Sequence, residues 1–260
     1  MLTPMSTGGR LPTVVRRRRG EYGVDGSVWG LVALGASGLL LAGFAVSHAV
    51  GGRVSQAVRE TVLSLVLLVT LANYLYATRY GKFVLWADLL EALRLRGDER
   101  VLDMGCGRGA VVTLVAHRVP RGRVVGLDLW RAKDQSGNAV EATRRNVVAE
   151  GVNDRCVLET ADMRAMPFPD RSFDLVLSSL AIHNIPGRRG RLQAIDEAVR
   201  VLKPGGRLVI ADLGWTASYA RRLRERGMTE VDRRHLDWRF WYGGPWLAMV
   251  PGVVTATKPL

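Results

Sequence analysis

The sequence predicts a doubly wound α/β domain with a mostly parallel sheet, preceded by a transmembrane α-helical hairpin. Three observations carry that prediction. In Val101-Leu102-Asp103-Met104-Gly105-Cys106-Gly107-Arg108-Gly109 an apolar run ends in glycines at every second position, and Ala110 to Arg118 then has helical spacing. Strand-like and helix-like segments alternate from there to the C-terminus. Ahead of them, Ser27 to Val50 runs 24 residues without a charge, enough to cross about 30 Å of hydrocarbon.

Residues 1–27 are polar, glycine-dotted and basic, densest at Arg16-Arg17-Arg18-Arg19, and read as a disordered tail. Residues 28–78 hold two spans, because Thr61 to Thr78 is a second uncharged run and Gly51 to Glu60 is a short connection. A cleaved secretory signal would have a shorter apolar region and no second span directly behind it. A soluble helical cap buried against the domain is the other alternative. Basic residues flank the pair on one side, with the Arg block before and Arg79 and Lys82 after, against only Arg53 and Arg59 between the spans. Both termini are therefore expected in the cytoplasm, with the hairpin in the cell (inner) membrane. Trp29, Tyr74, Tyr76 and Tyr80 fall where an aromatic belt would lie, and Ala33, Ser37, Gly38 and Ala42 offer a small-residue face.

Residues 79–260 form the α/β domain. Tyr80 to Arg96 reads as a linking helix with Trp86, Leu89, Leu90 and Leu93 on its apolar side. Strands are predicted at 100–104, 123–128, 156–160, 173–178 and 207–212, and helices at 109–118, 137–150, 189–201 and 216–226.

The net charge is +13, and residues 1–82 carry nine Lys/Arg against three acids. That surplus favours an anionic surface, phospholipid or nucleic acid. Cys106 and Cys156 are the only cysteines, which excludes a disulfide framework. No H-x-x-H or C-x-x-C spacing suggests a metal site, and none is expected.

The glycine turn between strand and helix is a nucleotide-binding corner, where side chains would hold a ligand away from the backbone amides. Dinucleotide-binding enzymes usually show G-x-G-x-x-G. Here the spacing is G-x-G-x-G, with Asp103 two residues before the first glycine. A carboxylate there would repel a pyrophosphate but suits a cationic amino-acid group, so a nicotinamide oxidoreductase fits poorly.

That pattern resembles the first motif of the class I S-adenosylmethionine-dependent methyltransferases. Later landmarks resemble the same family in order: Gly126-Leu127-Asp128-Leu129, Asp162-Met163, Phe173 to Ser178, and Leu202-Lys203-Pro204-Gly205-Gly206-Arg207-Leu208. The resemblance implies a seven-stranded Rossmann-like sheet, closed by an antiparallel pair at about 230–238 and 251–258. It implies S-adenosyl-L-methionine as cofactor, with Asp103, Gly105, Gly107 and Gly109 at its amino-acid end. It further implies Asp128 with Leu129 at the ribose, Asp162 and Met163 at the adenine, and Ser178 at the end of the fourth strand. Asp162 also reads as a helix cap, and Met163 as core packing.

Ser178 to Asn184 follows the fourth strand, where the family places residues near the reacting methyl. His183 is the candidate catalytic residue there, since an imidazole suits a general base; a structural or gating role is the alternative. The polar stretch Trp130 to Asn138 reads as a loop over the ligand or as plain surface. Trp238 to Trp246 reads as an acceptor pocket, a membrane-interface contact or core packing. The motif set is similar to the quinone-biosynthesis methyltransferases. The sequence thus predicts a membrane-anchored, cytosol-facing methyltransferase with a small-molecule or lipid acceptor. No nucleic-acid partner is expected, because no recognised binding module accompanies the basic residues. A membrane sensor that binds the cofactor without turnover is the alternative function.

Overall fold

The computed structural model describes residues 18–243 and 251–260. Its centre is a seven-stranded sheet of β1 (Arg100–Met104), β2 (Arg123–Asp128), β3 (Cys156–Thr160), β4 (Phe173–Ser179), β5 (Leu202–Leu213), β6 (Thr229–His235) and β7 (Pro251–Thr257). The order across the sheet is β3-β2-β1-β4-β5-β7-β6. The first five strands run parallel, and β7 lies antiparallel between β5 and β6. Two neighbours sit on opposite sides of β1, so the chain reverses its winding there and opens a crevice beyond the strand ends. The predicted parallel strands and the closing pair are all present. Strand β5 starts earlier than expected, because Leu202 already pairs with Phe173 before the register shifts and Arg207 pairs with Leu175.

Residues of β1 alternate between two apolar cores, as a period of two requires. Val101 joins Phe83, Trp86, Val112, Leu175 and Val209 on one face of the sheet. Leu102 and Met104 join Leu127, Val176, Ile195, Ile210 and Tyr219 on the other. Buried on both faces, β1 is the rigid element from which the glycine turn projects.

Helix α1 (Val28–Val50) and helix α2 (Val54–Tyr76) form the hairpin. Both are long and apolar enough to cross a membrane. They approach closely at Gly38, where a Cβ would stand 2.9 Å from Leu68 Cδ2 and where Ser64 Oγ donates to the Gly38 carbonyl at 2.8 Å. Leu39, Leu40, Phe44, Val58, Val62 and Val69 stay exposed along the outside. A cap buried against the domain would have covered them, so that alternative is not what the fold adopts.

The second helix does not stop at the domain. A five-residue π turn, Ala77–Gly81, leads directly into α3 (Lys82–Ala92), most of which is buried. Gly81 has a packing reason: a Cβ there would lie only 1.7 Å from the Arg239 carbonyl oxygen. The short helix Trp238–Phe240 thus rests backbone to backbone on this joint.

The disordered-tail expectation is corrected for residues 18–27. Tyr22 is 5% exposed, and its hydroxyl bonds Thr113 and Glu150. Glu150 Oε1 also accepts from the Arg19 and Gly20 amides at 2.8 Å each. Ser27 then caps α1. The basic composition hid one buried aromatic and one buried ion pair, which is enough to fix a ten-residue strap. Residues 1–17, including Arg16 and Arg17, lie outside the described residues.

Candidate active site

The glycine turn leaves β1 in a tight, left-handed path. Gly105, Gly107 and Gly109 have φ of 74°, 50° and 82°, and the Gly105 and Cys106 amides both reach the Leu127 carbonyl. Gly105 cannot carry a side chain for a second reason, since a Cβ would stand 2.2 Å from the Ala181 Cβ. Gly105→Ala is expected to push the loop after β4 outward and cost at least tenfold in cofactor affinity, read by calorimetry on folded protein. Gly105 and Gly107 line the central cavity. Gly109 does not; it precedes α4 (Ala110–Ala116) and packs on Thr143.

Asp103, Asp128, Leu129, Asp162 and Met163 line the same cavity. Asp103 is 1% exposed, and neither carboxylate oxygen has a hydrogen-bond partner. Burial, reinforced by the Asp128 charge, pushes its pKa up to about 8. The Val112 amide offsets this only weakly and makes no hydrogen bond of ordinary geometry to it. Asp128 accepts from the Gly107 amide at 2.8 Å, the Trp130 amide at 2.6 Å and Asn138 Nδ2 at 3.3 Å. A carboxylate has about four acceptor positions, so about one remains for a hydroxyl donor. Asp162 is held by Arg164, whose hydrogen bonds keep its pKa below the usual carboxylate range. The Arg164 amide also donates to Asp162 at 2.8 Å, but a turn and not a helix follows, so Asp162 heads a turn rather than capping a helix.

Ser178 is corrected. It is 1% exposed and donates to the Met104 carbonyl at 2.9 Å, away from the cavity. Strand alternation turns its neighbour Ser179 to the cavity instead, where Ser179 Oγ accepts from Trp86 Nε1 at 2.8 Å.

His183 sits in a short 3₁₀ turn, Ile182–Asn184, beyond β4 and lines the cavity. Its Nδ1 lies 2.5 Å from Asp212 Oδ1, and its amide donates to Asp212 Oδ2 at 3.0 Å. Tyr219 donates to the same oxygen at 3.2 Å. An ionised carboxylate only accepts, so Nδ1 carries the proton and Nε2 is the basic nitrogen. Burial lowers the His183 pKa, but the hydrogen bond and charge of Asp212 outweigh it and hold the net value above the ordinary one. Asp212 escaped the sequence reading. Its signal was its place near the carboxyl end of β5, where ligands meet open parallel sheets.

One wall comes from outside this core. The Asp25 carboxylate accepts from Lys82 at 2.8 Å, Thr78 at 2.8 Å, Tyr242 at 3.0 Å and Gln135 at 3.0 Å. Asp25, Gly26, Tyr74, Lys82, Gln135 and Tyr242 all line the cavity. The stretch after Asp128 therefore covers the cavity rather than serving as plain surface. The aromatic run divides: Phe240 is core, Tyr242 is cavity wall, and Trp238 is 60% exposed and stacks on Tyr76 at 5.0 Å. Trp246 lies outside the described residues.

Comparison with known proteins decides what this corner belongs to. Residues 102–210 match the family described as a methyltransferase domain. The α/β core has the fold of the class I methyltransferases. The chain is 38% identical over 153 residues to a 27-O-demethylrifamycin SV methyltransferase of Amycolatopsis mediterranei, covering 56% of this chain and 52% of that one. It is 32% identical over 131 residues to a demethylmenaquinone methyltransferase of Symbiobacterium thermophilum, covering 50% and 49%. Among solved structures, a geranyl diphosphate methyltransferase in complex with S-adenosylmethionine superposes with a TM-score of 0.54 at 16% identity, covering 68% of this chain and 85% of that one. This chain spans about half the length of the curated relatives it matches. The strap, the hairpin and the Tyr242 wall all lie outside the stretch that the methyltransferase family matches.

Proposed function

We propose that the protein is a membrane-anchored, cytosol-facing methyltransferase that moves a methyl group from S-adenosyl-L-methionine to a small lipophilic acceptor. The observation that carries it is a single cavity lined both by Asp103, Gly105 and Asp128 and by Gly26 and Tyr74 at the root of the apolar hairpin. The cofactor fits the residues present. A buried carboxylate with no partner calls for a cation, and the cofactor's amino-acid ammonium supplies one. Gly105 and Gly107 let the backbone approach, while Asp128 keeps an acceptor position for a hydroxyl.

Bound there, the cofactor supplies a methyl already activated by a sulfonium. The protein's work is then to align and to desolvate, which effective-molarity arguments rate as a large term. His183, held through Nδ1 by Asp212, offers Nε2 to take the proton an oxygen or nitrogen acceptor must lose. The basic residues on one side of both spans favour a cytosolic domain. The exposed Trp238 beside Tyr76 and Tyr80 suits a headgroup-level contact.

Membranes holding the protein, given S-adenosylmethionine labelled in its methyl group, should pass label into the organic extract. Asp128→Ala, as control, should lower that transfer at least tenfold by weakening the cofactor. Label found only in the aqueous phase would sink the lipophilic acceptor. Cofactor binding without any transfer would favour the sensor.

A further inference from the structure

The residues that grip the glycine turn are themselves gripped by the N-terminal strap. Two side-chain amides do this, one on each side of the Arg108 peptide. Gln135 Oε1 accepts from the Arg108 amide at 2.8 Å, while its Nε2 donates to the Tyr22 carbonyl at 3.1 Å. Asn146 Nδ2 donates to the Arg108 carbonyl at 2.8 Å and to the Glu21 carbonyl at 2.9 Å, and its Oδ1 accepts from the Glu21 amide at 2.8 Å. Asn146 is 3% exposed, so these bonds are made away from water and each carries weight.

The strap is closed at its far end as well. The Ser136 amide donates to the Val24 carbonyl at 3.0 Å, and its hydroxyl accepts from the Val24 amide at 2.8 Å. Asp25 then pairs with Lys82, whose side chain is only 5% exposed. Gly23 fixes the fit: at φ of 63°, a Cβ there would meet Ser136 Oγ at 2.7 Å and Arg108 Nη1 at 2.9 Å.

We propose that residues 20–25 are a clamp on the glycine turn, and that Gln135 and Asn146 are positioning residues through which the strap sets the cofactor site. The clamp rests on the methyltransferase reading only in naming the ligand of that turn. Cofactor binding then requires a segment that lies wholly outside the stretch matched by the methyltransferase family. Because Ser27 caps α1 immediately after it, the same segment ties the seating of the hairpin to the order of the turn.

The test is amide hydrogen exchange on the full chain in lipid nanodiscs, with no cofactor added. Gly23→Val lifts the strap by steric conflict. The paired change Asp25→Asn with Lys82→Met releases it while removing both buried charges together. Either should cost about tenfold in protection of the Gly107 and Arg108 amides, leaving β1 and β4 unchanged. The dissociation constant for S-adenosylmethionine should rise about tenfold in both, as in Gln135→Ala. Gln135→Ala added to Gly23→Val should cost nothing further, since both break one connection. Full protection of the turn in Gly23→Val, or additive losses in the combination, would overturn the clamp. If the parent chain bound no S-adenosylmethionine, the methyltransferase reading would fall, and the exchange result alone would still decide the clamp.

Discussion

Asp103→Asn is expected to raise the dissociation constant for S-adenosylmethionine about a hundredfold, a loss of about 2.7 kcal/mol. The same change should make the cofactor-free protein more stable above pH 8. Both effects have one origin. Folded Asp103 holds its proton up to about pH 8, whereas an unfolded carboxyl releases it near pH 4. Between those values the native state binds the extra proton, so stability falls as pH rises and the loss is complete above the folded value. An amide has no such proton to lose, and the falling limb should flatten. A cationic ligand reverses the balance by favouring the ionised carboxylate. Binding near pH 7 should therefore release about one proton from the parent protein and none from Asp103→Asn. Calorimetry in buffers of different ionisation enthalpy reads this directly. Unchanged affinity in a folded variant, or binding without proton release, would remove Asp103 from the cofactor's amino-acid end. An orphaned carboxylate in the core is costly, and its persistence fits a site strained until it is filled.

The parallel core was legible because each element declared itself locally. The apolar run ending at Met104, the glycines, and Asp128 and Ser178 at the ends of their strands depend on short-range geometry alone. The side chains that face the ligand were harder. Ser178 and Ser179 are equivalent as letters, and only the pleat decides which one turns to the cavity. Asp212 and His183 are 29 residues apart, and nothing in either neighbourhood announces the other. Asp25 lay in a stretch whose composition reads as a tail, and its partners Lys82, Gln135 and Tyr242 come from three further segments. Long-range pairing of single polar residues leaves no periodic trace. The hairpin was visible from length and charge, but its fusion to α3 through a π turn was not, because Gly81 takes its meaning from Arg239.

His183→Ala should lower kcat by roughly 10²–10⁴ for an acceptor that loses a proton from oxygen or nitrogen, with cofactor affinity kept. The unprotonated ring is the active form. The rate of the parent enzyme should therefore fall as pH drops through the His183 pKa, which lies above its ordinary value. Asp212→Asn sharpens the test. It removes the hydrogen bond and the charge that raise that pKa and leaves the burial that lowers it, so the acid limb should move to lower pH. It should also cut kcat, since the ring loses the group that fixes its tautomer and the proton on Nδ1. A merely structural dyad would change stability without moving the limb. Full turnover in His183→Ala across the pH range would mean that the acceptor sheds its proton unaided, and the base would have to be dropped from the mechanism. A carbon acceptor made nucleophilic by its own ionised ring substituent would behave in that way. The pH profile of these two variants therefore reports on the acceptor atom as well as on the dyad, before the acceptor itself is in hand.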